Sequence, residues 1–280
     1  MGNGIWTAAS GAAAQAQNLE IVANNLANSD TLAFKKDVPT FKEYLVSAEK
    51  PKEAIDVPRG QIRDQDLYPL DGRDQAFVVV DGTHTQFRQG HLRVTQKSLD
   101  IALDGPGFLE VSTPDGLRYT RQGSLKLSAQ GVLVTQEGHP VLASEAPGLA
   151  GDIPQSRSNQ SSSDARKIQL LDTSGPVTIN EQGEIYIGDR LYTRLSLVEF
   201  TNTQGLRKTG GQLFEVHPPS QWVAARNTRV HQGVVETSNV NPIEEMTHMI
   251  KANRLFEHDL KALKTYGELL SKEVNEVGKL

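Results

Sequence analysis

Two narrow apolar seams, one toward each end of the chain, enclose a middle of short alternating runs and turns. No other feature restricts the fold as much. From Ile5 the first seam passes through Ala8, Ala12, Gln15, Leu19, Val22 and Leu26, with spacings that alternate three and four and one polar break at Gln15. That spacing keeps one stripe of a helix turned toward a partner helix. Ala9, Ala13, Ala14 and Ala16 add helix propensity. Asn28-Ser29-Asp30 should end the helix, because their side chains compete for backbone hydrogen bonds. The second seam is longer. Asn241-Pro242-Ile243-Glu244 reads as a helix start, with Asn241 as cap, Pro242 in the first helical position and Glu244 reaching back. The seam continues through Met246, Met249, Asn253, Phe256, Leu260, Leu263, Gly267, Leu270, Val274 and Val277. At about 1.5 Å per residue this helix reaches roughly 50 Å. Either seam alone also suits a helix on a globular core. The pair predicts a helical hairpin of the two termini, completed by neighbouring subunits.

The middle carries strand signals. Ala76–Val80 is followed by Asp81-Gly82, and Phe108–Val111 leads through Pro114-Asp115-Gly116 to Leu117–Arg121. Leu125–Leu127, Val132–Val134, Ile185–Ile187 and Leu195–Val198 follow, with Gln130-Gly131 as a turn. The fold class is therefore α+β: a discontinuous helical hairpin or coiled-coil domain from residues 1–36 and 236–280, plus a central all-β domain at 76–235. Residues 37–75, with Pro51, Pro58 and Pro69, read as an extended linker, and 144–166 as a long mobile loop.

Composition narrows the function. The 280 residues carry a net charge of −5 and show no basic stripe, which speaks against nucleic acid as a partner. There is no cysteine, so disulfides, thiolate metal sites and a cysteine nucleophile are excluded. No run approaches the roughly 20 apolar residues of a membrane span, so direct membrane insertion is not expected. The N-terminal stretch lacks a charged n-region, and Gln15, Gln17 and Asn18 interrupt its apolar run, unlike a cleaved signal peptide.

Four segments, in chain order, carry a resemblance. The first is Ala8-Ala9-Ser10-Gly11, Leu19, Ala23-Asn24-Asn25-Leu26-Ala27-Asn28, Thr31 and Phe34-Lys35. The second is Leu99–Leu103 running into Gly105-Pro106-Gly107-Phe108-Leu109-Glu110-Val111. The third is Tyr119-Thr120-Arg121-Gln122-Gly123-Ser124 before Gly131–Thr135. The last is Glu236-Thr237-Ser238-Asn239-Val240-Asn241 with Glu244-Glu245-Met246, Ile250 and Ala252-Asn253-Arg254. Together they resemble the flagellar rod and hook protein family, most closely its proximal-rod branch, with the distal-rod branch as the alternative. Two positions depart from the family pattern: Ala33 stands where a glycine usually precedes the Phe-Lys pair, and Leu32 replaces a small or polar residue. The segment after the first helix is accordingly expected to bend differently.

The resemblance implies a structural subunit of the basal-body rod, in the periplasm, with other rod subunits and further copies of itself as partners in a helical assembly. It implies export through the flagellar type III apparatus and termini that order only on assembly, which suits marginal, narrow-seamed helices. It implies no cofactor. The assembly interface is expected at Leu19, Val22, Asn24, Asn25, Leu26 and Asn28, and at Met246, Met249, Phe256, Leu260, Leu263 and Leu270. The amides of Asn24, Asn25 and Asn28 suggest bridges between helices, with simple turn formation as the alternative for Asn28.

Motifs of enzymes are fragmentary. Glu245-Met246-Thr247-His248 is half of a di-iron carboxylate signature without its second copy. Asp172-Thr173-Ser174-Gly175 interrupts an aspartic-protease triplet, and Gly205–Thr209 and Gly105-Pro106-Gly107 lack the spacing of phosphate or dinucleotide loops. A glycan-binding or glycan-cleaving role for the β domain is the rival from another class, but the sequence cannot place the two facing carboxylates it needs.

Overall fold

A computed structural model describes residues 3–46, 75–144, 166–170, 175–218 and 221–277. The expected loop at 144–166 and most of the expected linker therefore lie outside the described residues.

Helix α1 spans Asn3–Ala27 and ends just before the Asn28-Ser29-Asp30 turn. Helix α2 spans Pro242–Val277, 36 residues, or about 54 Å. Proline leads it, where its missing N–H costs nothing, and Glu244 and Glu245 in the first turn complement the helix dipole. Two terminal helices around a β-rich centre make the chain α+β.

The strands are β1 (Asp37–Val46), β2 (Gln75–Thr85), β3 (Leu92–Val94), β4 (Ile101–Asp104), β5 (Phe108–Thr113) and β6 (Gly116–Thr120). After them come β7 (Leu125–Leu127), β8 (Leu133–Thr135), β9 (Val177–Ile179), β10 (Glu184–Ile187), β11 (Arg190–Arg194) and β12 (Leu197–Phe200). The last are β13 (Leu206–Gly210), β14 (Leu213–Val216), β15 (Trp222–Ala224), β16 (Arg229–Gln232) and β17 (Val234–Glu236). An antiparallel six-stranded sheet has the order β13-β14-β6-β5-β12-β15. The β5–β6 hairpin turns at Pro114-Asp115, with Gly116 at φ 115° supplying a conformation that a side chain would resist. Two apolar clusters fill the β region. Ile101, Leu103, Leu109, Val111, Leu133 and Ile185 belong to the larger one. The smaller is aromatic: Phe87, Phe108, Phe200, Phe214 and Tyr119 meet edge to face at centroid distances of 4.9–5.8 Å.

Two compact units result. One comprises Met1–Asn24, Val38–His84 and Ile243–Leu280, and the other Asn25–Asp37 and Thr85–Pro242. The division differs from the expected one in two places. Residues 37–46 are not linker but strand β1, paired with β2 in a two-stranded ribbon grouped with the helices. The alternation Val38, Thr40, Lys42 against Phe41 and Glu43 is too polar to register as a strand by itself. Asp81-Gly82 does not end a strand either, because β2 runs on to Thr85. Conversely, Asn25–Asp37 groups with the β region, whereas the expected division kept residues up to 36 with the helices.

Candidate assembly surface

Residues of α1 and α2 meet antiparallel within the first unit. A Cβ on Gly4 would lie 2.7 Å from Tyr266 Cζ, and one on Gly11 would lie 3.2 Å from Asp259 Oδ2. Advancing seven residues along α1 thus moves seven residues back along α2. Glycine at position 4 lets the Tyr266 ring lie against the backbone of α1. The same register sets residue 267 of α2 opposite Asn3 of α1. At the opposite end, Leu19, Ala23, Met249, Ile250 and Asn253 line an open groove. The β ribbon is tied to α1 through Val78, whose N–H donates to Ser10 Oγ at 3.3 Å.

The structure splits the predicted seam of α2 in two. Glu245 and Ala252 are buried, and Met249, Phe256, Asp259, Leu263 and Leu270 are half-buried, all on one stripe. Met246 and Leu260 lie outside it, 52% and 45% exposed. With Ile243 and Ile250 they form an apolar flank on one side of the stripe, and Leu255, Tyr266 and Leu269 form another on the opposite side. In α1, Val22 is buried, Leu19 and Leu26 are half-buried and Asn24 is exposed. Only Glu20 is charged among the 25 residues of α1, and Trp6 is 61% exposed. A helix with one charge and a helix with two apolar flanks thus both present exposed apolar side chains, the kind of surface that marks a protein contact.

Two of the predicted asparagines have local partners. Asn25 is buried, its Nδ2 donates to the carbonyl of Asp37 at 2.8 Å, and its Oδ1 accepts the Asp37 N–H at 3.0 Å. Asn28 Oδ1 accepts from Thr31 Oγ1 at 3.1 Å, which is turn formation.

Three residues not singled out by the sequence stand at the base of these segments. Glu236 is fully buried, its Oε1 accepting from Lys35 Nζ at 2.5 Å and from the Gly90 N–H at 2.8 Å. Its Oε2 accepts from Arg121 Nε at 2.9 Å. The remaining Arg121 donors reach the carbonyls of Leu103, Gly105 and Gly107, and Lys35 also donates to the carbonyl of Arg88. Burial, aided by nearby Arg121 and opposed by Glu236, lowers the Lys35 pKa to about 8. Lys35, Arg121 and Glu236 come from three different family-like segments, and that shared provenance was the available signal. Beside them, Lys208 Nζ lies 4.1 Å from the Phe34 ring centroid and pairs with Asp37 Oδ2 at 2.7 Å. Ala33 is buried with φ 58°, the left-handed conformation that a glycine would take freely. The bend expected to differ is thus a glycine-type bend built with alanine.

Three family models match in chain order: Flagella basal body rod protein at residues 5–35, Flagellar hook protein FlgE/F/G D1 domain at 102–187, and Flagellar basal body rod FlgEFG protein C-terminal at 231–277. The chain is 30% identical over 281 residues to flagellar basal-body rod protein FlgF of Caulobacter vibrioides, covering 100% of both. The chain belongs to the flagellar basal-body rod protein family. It is also 31% identical to FlgG of Buchnera aphidicola, over 96% of this chain and 97% of that one. Against FlgG of Bacillus subtilis the identity is 29%, over 92% of each. Membership makes the chain a structural component of the flagellar basal body.

The enzyme-like fragments are dispersed in the fold. Glu245 is buried, whereas His248 is exposed with Nε2 3.6 Å from Glu244. Residues 171–174 lie outside the described residues. Gly205–Thr209 spans the end of a 3-10 turn and β13. The carbonyls of Gly105 and Gly107 are spent on Arg121. Among the described residues no three His, Asp or Glu side chains cluster as metal ligands.

Proposed function

We propose that the chain is a structural subunit of the proximal rod that polymerises through its terminal helices with copies of itself and other rod subunits. The observation that carries this reading is the pair of apolar flanks on α2, led by Ile243 at 76% exposure and Ile250 at 57%. The groove lined by Leu19, Ala23 and Met249 and the apolar flanks of α2 offer different surfaces to successive neighbours. Such head-to-tail contacts generate helical filaments rather than closed dimers. Passage through the flagellar type III export apparatus and a place in the periplasm follow from the same reading, as does the absence of catalysis. The end-to-end match to FlgF supports the proximal segment. A distal-rod position is the second reading, favoured by the slightly higher identity to FlgG.

Labelling the chain in purified basal bodies tests the assignment. Label next to the inner-membrane ring supports the proximal position, and label along the distal shaft supports the second reading. Label absent from the rod overturns both. Incubation with purified peptidoglycan should release no fragments, and release would favour the glycan-cleaving rival.

A further inference from the structure

Two asparagines grip adjacent residues where the chain enters β1. Asn25, in the last turn of α1, takes both backbone groups of Asp37. Asn239, three residues before α2, accepts the Lys36 N–H at 2.7 Å and donates to the carbonyls of Gln86 and Arg88 at 2.7 and 3.1 Å. The backbone of Asn239 donates to the carbonyl of Phe34, and Ala33 donates to that of Glu236. The turn after α1 closes on itself through Asn28 N–H to Asn25 O and Ser29 N–H to Leu26 O. Beneath both lies the buried Lys35–Glu236–Arg121 cluster. The last turn of α1 and the residues leading into α2 are thus part of the β-rich unit, fixed by bonds that do not depend on the rest of either helix.

Starting a helix is its costly step, with an equilibrium penalty of about a thousandfold, whereas extension is nearly neutral. We propose that the Asn25–Asp37 clamp holds a preformed seed for α1, its last turn, and that the Asn239–Lys36 clamp fixes the point from which α2 starts. Ordering then proceeds outward, from Ala27 back toward Gly4 and from Pro242 on toward Val277. The proposal rests on the reading that these helices order on assembly. It adds that an incoming subunit presents one started helix and one anchored starting point, so that packing against a neighbour needs only to extend α1 and to propagate α2 from a fixed end.

Hydrogen exchange on the full-length purified monomer tests it. In the wild type, amides at 26–37 and 236–240 should exchange as slowly as those at 101–103, with protection falling steadily toward the far ends of both helices. In Asn25→Ala, exchange at 26–29 should quicken about tenfold or more, since two hydrogen bonds are lost. The gradient along α1 should vanish, while that along α2 and the protection at 101–103 remain. Asn25→Asp keeps the acceptor for the Asp37 N–H and should restore part of the gradient; this second variant holds the test together if the alanine also loosens residues 101–103. Uniform exchange along α1 in the wild type overturns the seed, and so does a gradient that survives Asn25→Ala. The readout needs no assembled rod. Failure therefore leaves the rod assignment standing, and failed incorporation with an intact gradient counts against the rod assignment alone.

Discussion

Lys35 and Glu236 are paired at 2.5 Å with no exposure of either side chain, although 201 residues separate them. Arg121 is the second cation on the same carboxylate, so the cluster holds one more positive than negative charge. Burial is the larger influence on Lys35 and lowers its pKa from 10.5 to about 8. Between pH 8 and 10.5 the unfolded chain therefore binds more protons than the folded one, and stability contributed by this residue rises with pH across that window. The melting temperature of the wild type relative to Lys35→Met should climb between pH 7.5 and about 10, by an amount on the order of 3 kcal/mol in stability at the limit. A gap that narrows over this range contradicts the argument.

The Ala33 backbone predicts an unusual gain. A left-handed alanine costs about 1–2 kcal/mol, which glycine does not incur. Glycine gives back roughly half of that in chain entropy and lost methyl burial. Ala33→Gly should thus be neutral or stabilising by up to about 1 kcal/mol, whereas Ala33→Val should destabilise by more than about 2 kcal/mol. Urea unfolding of both variants checks the pair, and a clearly destabilised glycine variant would show that the methyl contributes more than the strain.

Leu260 and Leu263 separate the two roles of α2. Leu260 sits on an exposed flank and Leu263 on the stripe turned toward α1. Leu260→Asp should leave the monomer unchanged and block rod formation, because an aspartate must be desolvated only when a neighbour packs there. Leu263→Asp should also weaken the α1–α2 pairing wherever both helices are ordered, by about 1–2 kcal/mol because Leu263 is half-buried. Lys261→Asp should be far milder. Motility in soft agar with circular dichroism of the purified variants distinguishes the three, and normal swimming by Leu260→Asp would exclude that flank from the assembly.

Cutting the chain in two ways tests the domain boundary. A fragment of residues 76–235 keeps Arg121 and discards both Lys35 and Glu236, leaving a buried cation unpaired. A fragment of residues 25–242 keeps the whole cluster. Breaking a buried pair costs about 3–5 kcal/mol, so the longer fragment should be more stable by that order in denaturant titrations. Equal stability would mean that the cluster rearranges or hydrates without cost.

Periodicity made the helices legible. The three-four spacing from Ile5 to Leu26 and the Asn241-Pro242 start are local signals, and the helix ends fell within a residue or two of them. Strands such as Phe108–Thr113 and Leu125–Leu127 were also readable, because apolar alternation and Asp-Gly or Gln-Gly turns are local too. Strand β1 was not, since its partner β2 lies some forty residues away and supplies the reason for its pairing. Long-range bonding likewise hid the role of Asn25: next to Asn24 it looks like one more helix-surface amide, and only the return of the chain at Asp37 buries it. The exposed and hidden members of the α2 seam differ by a single step around the helix. That rotation is set by where α1 lies, not by spacing.

The discontinuous helical pair also fixes an order of events during synthesis. Helix α1 leaves the ribosome first, and 214 residues separate its end from the start of its partner α2. At about 5–20 residues per second, translation alone keeps α1 without its partner for more than ten seconds. For that interval the N-terminal segment, uncharged but for Glu20, is an unpaired apolar ribbon in a crowded compartment. Any factor that binds unfolded N-terminal chain can take hold from then on, and the segment stays open to it until assembly pairs the two helices.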